Sequence, residues 1–182
     1  MSRSRTVIVV VCLAGMSLLV TAAGALNQTP TRVGPYDTAE GLVTELYKAV
    51  TFEAGTTPDW DKVRAMFLEQ AIVVLRTSRE ATTLFSVDGF VKDFEAFIEK
   101  TNARQTGFAE TIIRFKSLGF RDMAHVLVLY SASVPTSPRP PTQGVDSFQL
   151  IRKEGRWWIA SIINELPTAE SPVPEELLFE AK

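Results

Sequence analysis

The sequence predicts an α+β domain: three helices and a short strand, followed by two long β-hairpins. Three observations predict it. Apolar residues recur at helical spacing as far as Thr101, the period changes to two from Phe108 onward, and Glu154-Gly155 separates two apolar runs as a two-residue hairpin signal. At 182 residues, 46% hydrophobic and 22% charged, the chain suits one domain with a sizeable core and is too apolar for disorder along most of its length. A formal net charge of -2 supplies no basic field, which argues against a nucleic-acid partner.

Residues 1–25 have the pattern of a secretory signal peptide. Met1-Ser2-Arg3-Ser4-Arg5 is positive, Thr6 to Val20 is uncharged and mostly apolar, and Ala23-Gly24-Ala25 places small residues before a cleavage point at Leu26. The competing reading is an uncleaved anchor, but an apolar run of about 15 residues falls short of the roughly 20 a spanning helix needs. Cys12 lies inside that run without the small residues expected before a lipidated cysteine. Cleavage near Ala25 is therefore expected to leave an exported chain, periplasmic or secreted, with no stable membrane span. It removes Arg3, Arg5 and the only cysteine, which takes the net charge to -4 and excludes a disulfide, a thiol nucleophile or a cysteine metal ligand. His125 is the only histidine, so a His-rich metal site is excluded too, and no metal or cofactor is expected.

Residues 26–36 hold two prolines and a glycine and form a leader. Asp37-Thr38-Ala39-Glu40 follows the capping-box pattern, with the acid at the cap; Ala39, Leu42, Val43, Leu46 and Val50 then mark the first helix, up to Gly55. Pro58-Asp59-Trp60 opens a shorter helix with Trp60, Val63, Met66 and Phe67 on one side. Ala71 to Thr77 is short and β-branched, a strand. The third helix follows Ser86 or Asp88 and buries Phe90, Val91, Phe94, Phe97 and Ile98, a spacing that reads as core rather than a binding box. Phe108–Leu118 and Met123–Val134 are long strands around a turn at Gly119–Asp122, and the four prolines between Pro135 and Pro141 make a loop. Val145–Lys153 and Arg156–Glu165 form the last hairpin. The domain thus spans 37–166, and 167–182 is an acidic, Pro- and Glu-rich tail with a last helix over Glu175 to Lys182.

Strand parity sorts the side chains. A loop at Glu154-Gly155 pairs Lys153 with Arg156, Arg152 with Trp157, Leu150 with Ile159, Phe148 with Ser161 and Asp146 with Ile163. Phe148, Leu150, Trp157, Ile159 and Ile163 then share the core face, with Asp146, Ser161 and Glu165 toward one end. A loop at Phe120-Arg121 likewise places Thr111, Ile113, Phe115, Ala124, Val126, Val128 and Tyr130 inside, and Glu110, Arg114, Lys116 and His125 outside. Asp146, Ser161, Glu165 and Tyr130 are polar groups on otherwise apolar inner faces. They either solvate strand ends or line a cavity, where burial raises a carboxylate pKa toward that of a general base. Tyr130, Asp146, Phe148, Trp157, Ser161 and Glu165 are the candidate ligand contacts, and Asp146 with Tyr130 the candidate catalytic pair. Ile112, Leu127, Leu129, Ile151, Trp158, Ala160 and Ile162 leave apolar surface on the outer face. Either a second copy packs there, the favoured homodimer, or Leu177, Leu178 and Phe179 of the tail fold over it.

Several segments carry a family resemblance: Trp60-Asp61-Lys62-Val63 to Leu75, the helix Gly89–Thr101, Asp122-Met123-Ala124-His125-Val126, and Gly144-Val145-Asp146-Ser147-Phe148-Gln149-Leu150 through Arg156-Trp157-Trp158-Ile159. Over roughly residues 37–166 the chain resembles the NTF2-like superfamily, in particular its SnoaL-like bacterial members. The resemblance implies an α+β cone, N-terminal helices packed in the concave face of a curved, mostly antiparallel sheet, with a pocket at its open end and frequent dimerisation through the sheet. It does not settle function, because the superfamily hosts isomerases, dehydratases, cyclases and non-catalytic binders. The leading expectation is an exported domain that binds a small apolar or amphipathic ligand without chemistry. The alternatives are a cofactor-free acid–base isomerase, cyclase or dehydratase using Asp146 and Tyr130, and an envelope interaction module acting through the Trp158 face.

Overall fold

The computed structural model describes residues 34–77, 80–135 and 137–178; the signal-peptide segment and most of the leader lie outside them. The first helix, α1 (Ala39–Val50), buries Leu42, Val43, Leu46, Tyr47 and Val50 along one stripe. Its cap is Thr38, whose hydroxyl accepts from the Gly41 N–H at 3.0 Å, whereas the expected cap, Asp37, turns back to accept from the Gly34 N–H at 2.6 Å. The helix stops at Val50, well before Gly55, because Thr51 is extended and its side chain closes two hydrogen bonds with the backbone of Glu110, at 3.1 and 3.0 Å. A short helix α2 (Trp60–Arg64) follows on an Asp59 cap, and α3 (Val87–Thr101) on a Ser86 cap. Left-handed Asn102 (φ 58°) ends α3 and leads into one further turn, α4 (Ala103–Thr106), which local spacing did not announce.

The strands are β1 (Phe67–Arg76), β2 (Thr82–Ser86), β3 (Ala109–Phe120), β4 (Met123–Ser133), β5 (Thr142–Lys153) and β6 (Arg156–Glu165). They form one curved sheet in the order β2-β1-β6-β5-β4-β3, antiparallel throughout except for the parallel β1–β6 pair. That architecture matches the expected α+β class. β1 begins four residues earlier than its β-branched run suggested, and β2 has no counterpart in the sequence reading. The inner face packs Val73, Val126, Val128, Phe148 and Ile159 against α1 and α3, all fully buried, and each such side chain contributes about 1.5–3 kcal/mol by leaving water. A second cluster of Phe52, Ile98, Ala103 and Phe108 joins the first through Phe94, which meets Trp60, Phe90, Phe97 and Phe108 edge-on.

Two bulges decide which side chains face inward. The Glu154-Gly155 loop forms as its residues suggest, both at positive φ (56° and 80°), and the first pairs are Lys153 with Arg156, Arg152 with Trp157 and Leu150 with Ile159. A register shift beyond Leu150 then leaves Ala160 as an extra residue, so Phe148 opposes Ile162 and Asp146 opposes Asn164. Ile162 and Asn164 therefore turn into the core, while Ser161, Ile163 and Glu165 turn outward, reversing the expected faces. In the other hairpin the loop is Arg121-Asp122 rather than Phe120-Arg121, which preserves parity for Phe115 and for the inner residues of β4. A shift between Ile112 and Arg114 sets Ile113 as the extra residue. Glu110 and Ile112 consequently face inward, and Thr111 and Ile113 outward, again the reverse of simple alternation. His125 faces outward as expected, opposite Leu118, with its ring Nε2 3.0 Å from the Ser147 hydroxyl.

The tail covers part of the outer face. Leu166 to Pro174 runs past Gln143 and Val145, and the last turn, α5 (Glu175–Leu178), packs against β3 with Leu177 fully buried, as is the outward-facing Leu129. Ile72, Leu84 and Ile163 stay exposed on the other half of that face, at 43%, 68% and 52% of their full surface. Trp158 is half-buried, because the Arg156 guanidinium stacks over it at 3.9 Å and over Tyr36 at 4.2 Å. No helix among the described residues is long and apolar enough to cross a membrane.

Candidate functional site

The inner face and the helices enclose a hollow of about 150 Å³ whose apolar wall comprises Leu46, Val50, Val73, Leu75, Phe90, Phe94, Phe148 and Ile162. Five polar side chains break that wall: Tyr47 from α1, Glu110 from β3, Tyr130 from β4, Asp146 from β5 and Asn164 from β6. Arg76 adjoins them at the end of β1, where Glu165 holds its guanidinium in a two-point ion pair, Nε to Oε1 at 2.8 Å.

Asp146 is the hub. One carboxylate oxygen accepts from the Tyr47 hydroxyl at 2.5 Å, and the other accepts from the Asn164 amide at 2.8 Å. The same Asn164 nitrogen donates to the Tyr130 hydroxyl oxygen at 3.0 Å. Both amide hydrogens are thus engaged, while the Tyr130 hydroxyl has an O–H left to offer. Burial pushes the Asp146 carboxyl up to about 6, against the opposing pull of hydrogen bonds from Tyr47 and Asn164. Burial pushes Glu110 further, to about 8, and the neighbouring Asp146 charge adds to the rise. Both residues keep some surface, but that surface faces the hollow, so desolvation governs them. Tyr47 and Tyr130 rise well above the ordinary phenol value, chiefly through burial and then through Asp146, and stay protonated donors. At neutral pH one carboxyl of the pair is ionised and the other holds its proton, an arrangement able to accept a proton at Asp146 and donate one at Glu110.

Of the residues singled out from the sequence, Tyr130, Asp146 and Phe148 meet at this hollow. Trp157 faces inward but packs against the core farther along β6, its backbone N–H donating to the Tyr36 carbonyl at 2.9 Å. Ser161 and Glu165 lie on the outer face, for the bulge reason above. Sequence reasoning missed Tyr47, Glu110 and Asn164. A phenol in the apolar stripe of α1 was a usable signal for Tyr47, since a buried hydroxyl needs a partner. Glu110 and Asn164 were hidden by two register shifts. Among the described residues, no group of three or more His, Cys, Asp or Glu side chains is arranged to hold a metal ion.

The architecture has close parallels among solved structures. An NTF2-like protein with a cystatin-like fold from Novosphingobium aromaticivorans superposes with a TM-score of 0.57 at 13% identity, over 76% of this chain and 84% of that one. An NTF2-like protein of unknown function from Pseudomonas putida gives 0.56 at 11% identity, over 79% and 92%. The chain has the NTF2-like fold. A third neighbour, a candidate scytalone dehydratase from Novosphingobium aromaticivorans, gives 0.54 at 14% identity, over 71% and 81%. At these identities the likeness concerns the fold alone. No family model matches the chain, and no curated protein matches it. His125, the only histidine of the sequence, points to the other side of the sheet from the hollow.

Proposed function

We propose that this NTF2-like domain is exported and holds a small, mainly apolar or amphipathic molecule in the hollow, its polar end against Glu110, Tyr130 and Asp146. One observation carries the reading: an apolar cavity whose wall presents a carboxyl and a hydroxyl with hydrogen-bonding capacity still to use. A volume of about 150 Å³ accommodates one ring and a short arm, far below a steroid-sized ligand. Native mass spectrometry on protein purified from its own host is expected to show a co-purifying small molecule. Leu46→Trp, which fills the hollow, is expected to lose it; retention of the same molecule by that variant would place the ligand elsewhere.

Acid–base catalysis is the second reading, favoured by the split between Asp146 and Glu110, which straddle neutral pH. Asp146→Asn separates the two, because turnover of the co-purified molecule that disappears while binding persists would make the site an enzyme's.

We also propose that two copies pair across the outer face left open by the tail. Ile72, Leu84 and Ile163 supply its exposed apolar surface. Ile163→Asp is expected to shift the sedimentation mass from dimer to monomer, and an unchanged mass would remove this face from the interface.

A further inference from the structure

We propose that the hollow takes a small protonated amine with one apolar arm, its ammonium group seated against Glu110 and Asp146 among the rings of Tyr47, Tyr130 and Phe148. This specifies the ligand class of the binding reading above and rests on it.

The charge balance of the wall points there. Its titratable groups are Tyr47 from α1, Glu110 from β3, Tyr130 from β4 and Asp146 from β5, with Arg76 of β1 committed to Glu165 of β6; α3 contributes only Phe90 and Phe94. Two acids are therefore enclosed with no cation between them, whereas buried acids are ordinarily paired. Asp146 is at least satisfied by two donors. Glu110 is not: its side chain is half-buried and lines the hollow, and no described side chain or backbone group hydrogen-bonds to its carboxyl. Only its backbone is tied down, by Thr51. An anionic head group would add another like charge to this wall. A neutral one would leave the Asp146 charge without a counter-charge and Glu110 holding its proton. An ammonium group supplies the missing counter-charge and several N–H donors to the free carboxyl oxygens.

The rings fit the same occupant. Tyr47 lies 5.9 Å from Tyr130 and 6.3 Å from Phe148, centroid to centroid, so three neighbouring aromatic rings line the hollow beside the Asp146 carboxylate that Tyr47 hydrogen-bonds. Apart from Asn164 and Arg76, both already engaged, the remaining wall is aliphatic or phenyl, which suits an organic arm and not a hydrated inorganic ion.

The test uses three probes of matched shape, 2-phenylethylamine, 2-phenylethanol and phenylacetate, titrated calorimetrically into the protein. The amine is expected to bind at least about tenfold more tightly than the alcohol, with phenylacetate weakest. Amine affinity is expected to climb between about pH 5 and pH 8, as Asp146 and then Glu110 become able to ionise, and binding near pH 7 is expected to release a proton. Glu110→Gln is expected to abolish that release and bring the amine and alcohol affinities together. Alcohol binding as tight as amine binding, or amine affinity flat across that pH range in the unaltered protein, would overturn the cationic class while leaving the cavity a binding site. Failure of all three probes to bind would overturn both readings.

Discussion

Glu110→Gln is expected to stabilise the protein at alkaline pH, by an amount that grows between about pH 4.5 and pH 8 and reaches about 4–5 kcal/mol. The folded Glu110 carboxyl titrates near 8 instead of 4.5, because burial and the Asp146 charge disfavour its ionised form. Between those two values the folded chain binds a proton that the unfolded chain has lost, so stability is fully present below the unfolded value and is lost as pH rises through the folded one. Glutamine is neutral in both states and removes this slope. It also introduces an amide facing the hollow, a pH-independent cost of about 1 kcal/mol, so the diagnostic is the difference between two pH values and not the sign at either one. Chemical denaturation of both proteins at about pH 5 and pH 9 provides the measurement. Parallel losses in the two would mean that the Glu110 carboxyl is solvated in the folded state.

Gly144→Ala is expected to cost about 2–4 kcal/mol and to displace Tyr130. Gly144 opposes Tyr130 across β4 and β5, and the phenol ring lies directly over it. A Cβ there would stand 2.6 Å from the ring Cε1, with Cζ and the hydroxyl oxygen closer still. The ring has little room to retreat, being buried, packed near Tyr47 and hydrogen-bonded to Asn164. Glycine at this strand position therefore makes space for the tyrosine that braces the Asp146–Asn164 network. A double-mutant cycle isolates that cause. Leucine at position 130 ends at the level of the tyrosine Cδ atoms, so in a Tyr130→Leu background the added methyl is expected to be neutral or slightly stabilising, as alanine ordinarily is relative to glycine in a strand. An equal loss in both backgrounds would assign the effect to the backbone and not to the ring.

The two hairpins show where reading by pattern succeeds and where it stops. The Glu154-Gly155 loop was recoverable because its geometry is local: two residues at positive φ suffice, and glycine in the second position adopts it without strain. From that loop, alternation places Leu150, Trp157 and Ile159 on the inner face. It fails past Ala160, where one extra residue reverses every later side chain, so Ser161 and Glu165 leave the site and Asn164 enters it. The same event at Ile113 converts Glu110 from an outward charge into an acid that lines the hollow, where burial raises its carboxyl to about 8. Thr51 explains part of the choice, since its paired hydrogen bonds anchor the backbone of Glu110 to the end of α1. That anchor joins residues 59 positions apart, and no window along the chain contains both.

The order of residues by itself determined the α+β class, the amphipathic stripes of α1 and α3, the tight turn of the last hairpin and the inward direction of Tyr130, Asp146 and Phe148. Each follows from sterics and hydrophobic period within about ten residues. Only the tertiary structure decided that β1 lies parallel to β6, that the last turn of the tail packs against β3, and that Tyr47, Glu110 and Asn164 converge on Asp146. The physical reason is that a sheet wrapped around a helix must lengthen one strand against its neighbour where it bends, and the bulges that absorb the difference are placed by long-range packing.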